Sequence, residues 1–600
     1  MKQFFSLVIT ILVIFILIGG ALISALPEEE IEFPEEVEDL LPTPVQTPVE
    51  KVNQGTINQL RLDDKFFYPP LEQTGIITAY ITVRRGNVSD NTDHSWVEVN
   101  SASKAIYDPN AFAEVPKAEV IFQIGNEMGP LPGEFGFNET RTNGTIQIRG
   151  NSASRREPKS YKVELRNWTG GWNDQYTLAL NKHVTDPTKI KNKLNYDLLI
   201  GSPDIVSLRT QFFHMYIKDE TVPEGTGRAF VDYGLFTAVE QPNKAFLRNH
   251  GLDPNAHLYK ANFFEFFRYP DNLKMVDDPT YDSQKFESIL EVKGDQNHAK
   301  LIDMLEAVND PRIPIAETFE YYFNADNYFT WMAFNILVGN VDTSSQNFYL
   351  YSPQASHKWF FIHWDYDGSF NKLNLEKFGR IPAQTWQEGV QTYWGSVLHQ
   401  RVLTEPIYRD KLDEKIEYWR GVLTPENINR HLNIYRPLTE PILNSLPDQL
   451  IFKPDEYAAV YASFNDEIQN NYQLYKRTLE EPMPFFIADV TFSNGKTNVI
   501  WTSSYDFKDT DLEYHLQISK DWDFENILTD QKVMNFTSLE LDQDLPIGTY
   551  FIRISASDPD GNQQSSYGRY IDVDRIIHVG VTMLVVTGSN DFKRAILIND

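Results

Sequence analysis

Between residues 76 and 165, apolar and polar side chains alternate in short runs: IITAYITV, AEVIFQI, TIQIRG and SYKVEL. A period of two predicts half-buried strands. Residues 206–242 continue the pattern with QFFHMYIKD and YGLFTAVEQ. From about residue 297 the spacing becomes helical, through HAKLIDMLEAV, ETFEYYFNADNYFTWMAFNILVG and YRDKLDEKIEYWRGVL. TPENINRHLNIYRPLTEPILNSL predicts further helix, with Thr424 ahead of Glu426 at a helix start. A strand-rich half followed by a helix-rich half is an α+β arrangement, with a natural cleft between the halves. After Pro482-Met483-Pro484 short alternating runs return (NVIWTSS, LEYHLQISK, TSLELDQ, TYFIRISASD), broken by SNGK, PIG and DPDGN. They predict an all-β sandwich over residues 485–575. Residues 576–600 include HVGVTMLVV, an apolar run too short to span a bilayer, and remain another strand or an unassigned tail.

The N-terminus has a different texture. Residues 1–26 carry Lys2 and then no charge until Glu28, long enough to cross a membrane. An uncut anchor is favoured over a secretory signal, because the one cleavage candidate, Ile23-Ser24-Ala25, has a bulky residue at its first position. Lys2 inside and acidic residues beyond the run orient the bulk of the chain outward. Residues 27–60 begin with dense carboxylates and prolines, which read as an extended acidic spacer. Among 600 residues, 84 acidic against 54 basic ones give a net charge of −30. No basic face is available to displace the counterions of a nucleic acid, so that partner class is excluded. The absence of cysteine excludes a disulfide scaffold, a thiolate metal site and a thiol nucleophile. No Walker loop, GxSxG elbow or HExxH occurs.

Candidate chemistry lies between Gly339 and Phe370, in GNVDTSSQNFYLYSPQASHKWFFIHWDYDGSF. An aromatic-rich helix ends at Gly339, a polar loop follows, and then two strands are joined by a turn. Asp342 and Asn347 sit in the loop; Asp365 and Asp367 sit at the end of the second strand. Two residues apart on a strand, the latter pair is expected to share one face and converge on one cation. Two carboxylates and an amide suit a hard Mg²⁺ or Mn²⁺ ion. A base Asp, a metal-binding Asn with four residues between them, a hairpin and a further Asp also follow the protein-kinase template.

These residues resemble the spore coat protein H (CotH) kinase-like family: Gly339-x-x-Asp342-x4-Asn347, Phe348–Tyr351, and Lys358-Trp359-x3-His363-Trp364-Asp365-Tyr366-Asp367. Upstream, IQIRGNSASRREPKSYKVEL, DYGLFTAVEQPNKAFLRNHG and HLYKANF resemble further motifs of that family. Phe236 departs from the family's usual tyrosine, and Asn243-Lys244 from an acidic pair. The resemblance covers residues 75–480 and implies an atypical protein-kinase-like bilobal domain, with a strand-rich N-lobe and a helix-rich C-lobe. It implies transfer of the ATP γ-phosphate to Ser/Thr hydroxyls of surface or coat proteins. Asp342 would accept the substrate proton, while Asn347, Asp365 and Asp367 would hold metal. Arg149, Gly150, Asn151, Ser152 and either Lys159 or Lys162 would meet the nucleotide, with Glu240 holding that lysine. Alternation puts Lys162 and Glu164 on one strand face and Lys159 on the other. His363 is expected as a hydrogen-bonded strand histidine rather than a metal neighbour, and Tyr321–Phe334 as helix packing. The C-terminal sandwich resembles a fibronectin type III or immunoglobulin-like module, through Trp501 and the Tyr550 of its late strand. A non-catalytic surface or coat-assembly scaffold on a kinase-like fold is the competing function.

Overall fold

A computed structural model describes residues 75–103, 115–150, 153–223, 229–370, 386–451, 454–541, 544–589 and 592–598. The expected anchor and acidic spacer, and Asn151 and Ser152, lie outside the described residues. Among those described, no helix is long and apolar enough to cross a membrane. All of them belong to one unit, Gly55–Asp600.

The alternating runs form β1 (Ile76–Arg84), β2 (Ala118–Asn126), β3 (Gly129–Pro130), β4 (Gly144–Ile148), β5 (Tyr161–Leu165), β6 (Thr177–Asn181), β7 (Thr210–Asp219) and β8 (Val231–Val239). Their order is β1-β7-β8-β6-β5-β4-β2-β3, and β1 pairs with β2 as well. The sheet therefore closes on itself into a barrel, with β3 as an appended strand. The seam is made by β1, antiparallel to β2 with Thr78 opposite Gly125 and parallel to β7 with Ile76 opposite Phe212. Alternation sends one set of side chains inward. Ile81, Val120, Phe122, Ile146, Ile148, Val163, Leu180, Phe213 and Phe236 fill the interior, whereas Lys162 and Glu164 are only partly buried.

A second sheet, antiparallel and in the order β10-β9-β11-β12, sits among the helices: β9 (His257–Ala261), β10 (Leu290–Val292), β11 (Phe348–Ser352) and β12 (Phe360–His363). Around it pack the helices Ala299–Asn309, Ile315–Tyr322, Ala325–Leu337, Val397–Thr404, Pro406–Val422, Pro425–Leu443 and Pro454–Thr478. Trp331, Trp359, Phe361 and Trp419 are buried at the centre of that core. The long helical run expected from residue 317 breaks in two. Asn324 leaves helical geometry and its side chain accepts from the Asn327 N–H, capping the second helix. Thr424 caps its helix by accepting from the Asn427 N–H. The helix Lys191–Leu199 was absent from the sequence pattern: every residue in KNKLNYDLL is buried, lysines included.

The C-terminal strands enclose a separate core of Trp501, Tyr514, Ile518, Tyr550, Ile552 and Leu584. Tyr550 donates its hydroxyl to the Pro546 carbonyl at 2.8 Å. The strand Thr582–Ser589, from the segment unassigned by sequence, pairs with Gly548–Ser557 and with Phe592–Ile598. This β unit docks on the helices through aromatics. Trp394 lies 5.5 Å from Tyr505 and 5.7 Å from Phe507, and Arg409 stacks 4.7 Å over Phe507.

Candidate active site

The loop after the Ala325–Leu337 helix is built to a fixed shape. Gly339 reverses the chain at φ 64°, where a β-carbon would come 2.8 Å from the Asn471 amide. Asn340, buried, donates to the Asn335 side-chain oxygen at 3.1 Å and to the Asp365 carbonyl at 3.2 Å, which ties the loop to the second aspartate segment. Asp342 follows in a short 3-10 turn, Val341–Thr343. Its carboxylate accepts from Gln346 and, at 2.8 Å, from the Asn347 amide. Asn347 has φ 58°, and the chain then enters β11. The Phe264 N–H, donating to the Ser345 carbonyl at 2.7 Å, pins the middle of the loop.

Register brings the far end of the hairpin back to this loop, because Phe348 at the start of β11 faces His363 at the end of β12. Asp365 and Asp367 converge, but by a route different from strand alternation. β12 stops at His363, and Asp365 adopts φ 57°. The polar helix Lys191–Leu199 takes over the backbone groups that a longer ladder would have used. The Asp365 N–H donates to the Tyr196 hydroxyl at 3.1 Å, and the Tyr366 N–H to the Asn192 amide oxygen at 2.9 Å. Asn192 also donates to the Asp365 carboxylate at 3.4 Å. His183 stands 3.9 Å from the Asp367 carboxylate.

Charge is concentrated here. Desolvation, and then the neighbouring Asp367, push the Asp365 carboxyl up to about 6. Asp367 meets the same desolvation, yet is held below the ordinary carboxylate range by His183 and Lys191. Two carboxylates in contact cannot both ionise freely, and a cation between them relieves that conflict. Desolvation likewise pushes Asp342 up to about 6, although the residue keeps solvent access; Asp365 and Asp367 add to the push while Gln346 and Asn347 oppose it. A base poised there suits proton transfer near neutral pH. Among the described residues no cluster of three His, Asp or Glu side chains forms a complete metal cage. The donors present, Asp365, Asp367 and the Asn347 amide, fit a Mg²⁺ ion that takes its remaining ligands from phosphate and water.

The expected nucleotide residues divide. Arg149, at the end of β4, reaches the site, with its guanidinium 5.9 Å from the Trp364 ring. Burial lowers its pKa, and Asp365 raises it. Gly150 follows at φ 83°. Lys159 instead closes its own loop, donating to the Ser154 carbonyl at 2.6 Å and pairing with Glu157 at 3.1 Å. Lys162 pairs with Glu164 at 2.9 Å along β5. Glu240 is buried between Arg209 at 3.1 Å and His250 at 2.9 Å, which take the place expected for a lysine. His363 is buried, bonded to the Tyr366 hydroxyl, and lowered by desolvation to about 3. Sequence reasoning missed His183, Lys191, Asn192 and Tyr196, which lie in a polar stretch without period, and Lys260 of β9, 5.9 Å from the Trp364 ring.

The family model described as CotH kinase protein matches residues 146–475, from β4 through most of the Pro454–Thr478 helix. No curated protein matches the chain.

Proposed function

We propose that the chain, which belongs to the CotH kinase family, transfers the γ-phosphate of ATP to Ser or Thr hydroxyls of surface or coat proteins. The reading is carried by one observation: Asp342 with Asn347, and Asp365 with Asp367, come from opposite ends of the β11–β12 hairpin and meet, held by left-handed backbone at Asn347 and Asp365. The barrel and the helical core would serve as the two lobes of a kinase-like fold.

Asp342 accepts the proton of the substrate hydroxyl as its oxygen bonds to the γ-phosphorus and the bond to ADP breaks. Asn347 orients the Asp342 carboxylate through their 2.8 Å hydrogen bond, and its amide oxygen would be the third protein donor to a metal. Asp365 and Asp367 would hold Mg²⁺ or Mn²⁺, which would supply neutralisation of phosphate charge. Asn192, Tyr196 and His183 keep those carboxylates in place. The uncharged run after Lys2 would anchor the protein with its bulk outside the cytoplasm. The C-terminal β unit would act as a fibronectin- or immunoglobulin-like spacer, which the Tyr550–Pro546 bond supports.

Two substitutions separate the roles. Asp365→Asn removes a charged ligand and weakens Mg²⁺-dependent ATP binding. Asp342→Asn leaves that binding nearly unchanged, while transfer falls by about 10²–10⁴-fold. Calorimetry with Mg-ATP, beside phosphate incorporation into a coat-protein substrate, reads both. Transfer unaffected by either change overturns the reading; wild-type protein that binds no nucleotide favours the scaffold function.

A further inference from the structure

The C-terminal β unit leaves one strand bare along a whole side. Ile527–Met534 ends its sheet, and among the described residues it pairs only with the strand Glu513–Ser519. One row of its backbone N–H and C=O groups therefore has no ladder, which is the surface that accepts another strand. The aromatic contacts with the helices run through Tyr505, Phe507 and Tyr567, outside this strand. Alternation sorts its side chains. Val533 packs on the core of the β unit, with Thr529 and Gln531 half-buried beside it. Leu528, Asp530, Lys532 and Met534 face solvent, and the two apolar ones are 50% and 51% exposed. Asp530 meets His515 and Lys532 meets Glu513 on the neighbouring strand, each at 2.7 Å, yet both charged side chains stay more than half exposed.

That exposed row is complementary to its own reverse. With two copies set antiparallel about a two-fold axis at Gln531, Asp530 of one stands opposite Lys532 of the other, and Thr529 opposite Val533. Leu528 stands opposite Met534 at each end. Opposed charges of opposite sign and opposed apolar side chains both stabilise an antiparallel pair. Moving the axis by one residue destroys the match, because it sets Asp530 against Asp530 or Lys532 against Lys532. The pairing irregularity between Ile518 and Ser519 leaves Leu528 outside the ladder, so regular backbone runs from Thr529 to Met534 and spans the centre of the match. The other long edge, Phe592–Ile598, has no such symmetry, since its charges, Lys593 and Arg594, share one sign. We propose that Ile527–Met534 pairs antiparallel with the same strand of a second copy, joining two β units into one continuous sheet and two chains into a symmetric dimer. The proposal is independent of the kinase reading and uses no residue of the candidate active site.

The test sediments the full chain in detergent across a dilution series, as wild type, Lys532→Asp, Asp530→Lys, and an equal mixture of those two variants. Wild type is expected to dimerise as concentration rises. Either single substitution sets two pairs of like charge across the axis and should weaken the dimer by about tenfold or more. The mixture restores opposite charges between the two chains and should recover wild-type association, which a folding defect in either variant would not. Gln531→Cys reads the same geometry without altering charge. The chain contains no cysteine, so mild oxidation should link two copies through this position on the axis, whereas Lys496→Cys, on another strand, should stay unlinked. Wild type that is monomeric at every concentration overturns the proposal and leaves the edge to a strand of another protein. A dimer indifferent to both charge substitutions also overturns it, since association would then lie in the uncharged N-terminal run or on another face. Folded variants whose mixture fails to associate do the same. If either charge variant does not fold, the Gln531→Cys link decides, and its absence overturns the pairing.

Discussion

Asn347 and Asp365 hold φ values of 58° and 57°, a region most side chains avoid. Asn and Asp are among the few non-glycine residues that enter it, so backbone demand and chemical demand meet at the same positions. The two demands are separable at Asn347. Asn347→Ala keeps a β-carbon in an unfavourable conformation and should lose about 1 kcal/mol in urea unfolding, whereas Asn347→Gly should lose little or gain. Both should lose phosphate transfer, since both lack the amide. This scale also marks how far the sequence could be read. The spacing from Asp342 to Asn347 lies in one loop, so local pattern suffices to place it. The convergence of Asp365 with Asp367 depends on Tyr196 and Asn192 ending the ladder, a tertiary event that period counting does not contain. Alternation placed Lys162 beside Glu164 correctly, but only the stacking of β9 beside β11 reveals that Lys260 approaches the carboxylates.

The helix Lys191–Leu199 escaped the sequence because its burial is achieved by pairing polar groups rather than by an apolar stripe. Lys193 meets Asp197 at 3.0 Å within it. Just before it, Lys189 joins Lys182 of the barrel, both 2.8 Å from Asp448, which follows the Pro425–Leu443 helix. Asp448 also accepts the Leu235 N–H of β8 at 2.7 Å, so one carboxylate fastens the barrel to the helices. Desolvation lowers Lys182 to about 7, with Lys189 adding to the fall and Asp448 resisting it. Asp448→Asn leaves two buried ammonium groups with a neutral partner, and chemical denaturation should show a loss of about 3–5 kcal/mol. A second element-level effect concerns acid. Desolvation lowers His298 of the Ala299–Asn309 helix cap to about 4, and His363 of β12 and His399 of the Val397–Thr404 helix to about 3. Unfolded, each titrates near 6.5, so the unfolded state binds more protons between that pH and the folded values. The histidines' contribution to stability is therefore full above about pH 6.5 and falls as the pH drops toward 4, by up to about 1.4 kcal/mol per pH unit for each histidine. Asp342 and Asp365 oppose this fall between about pH 6 and 4, because their raised carboxyls take up protons in the folded state first. Denaturation midpoints measured across that window should show the slope, and His399→Gln should flatten it.

The family match and the folded unit do not share boundaries. The match starts at residue 146, inside β4, while β1, β2 and β3 lie before it and β1 closes the barrel. It ends at residue 475, ahead of the aromatic contact of Trp394 with Tyr505 and Phe507. A fragment of residues 146–475 should consequently express without a cooperative melting transition, and one of residues 75–598 with one; circular dichroism on heating distinguishes them. The strand-rich texture before residue 242 and the helical spacing from about residue 297 were legible in the chain, because period two and helical spacing are local. Barrel closure was not, since it rests on one parallel pairing between distant segments. That pairing has a consequence for the order in which the protein is made. β1 leaves the ribosome early and finds β2 soon afterwards, but Ile76 must wait for Phe212 before its other edge is covered. Through that interval a nascent chain carries an open strand edge, the type of surface that recruits foreign strands. Slow, non-local closure makes the seam the stage of biogenesis most exposed to mispairing, and the one where a chaperone has most to protect.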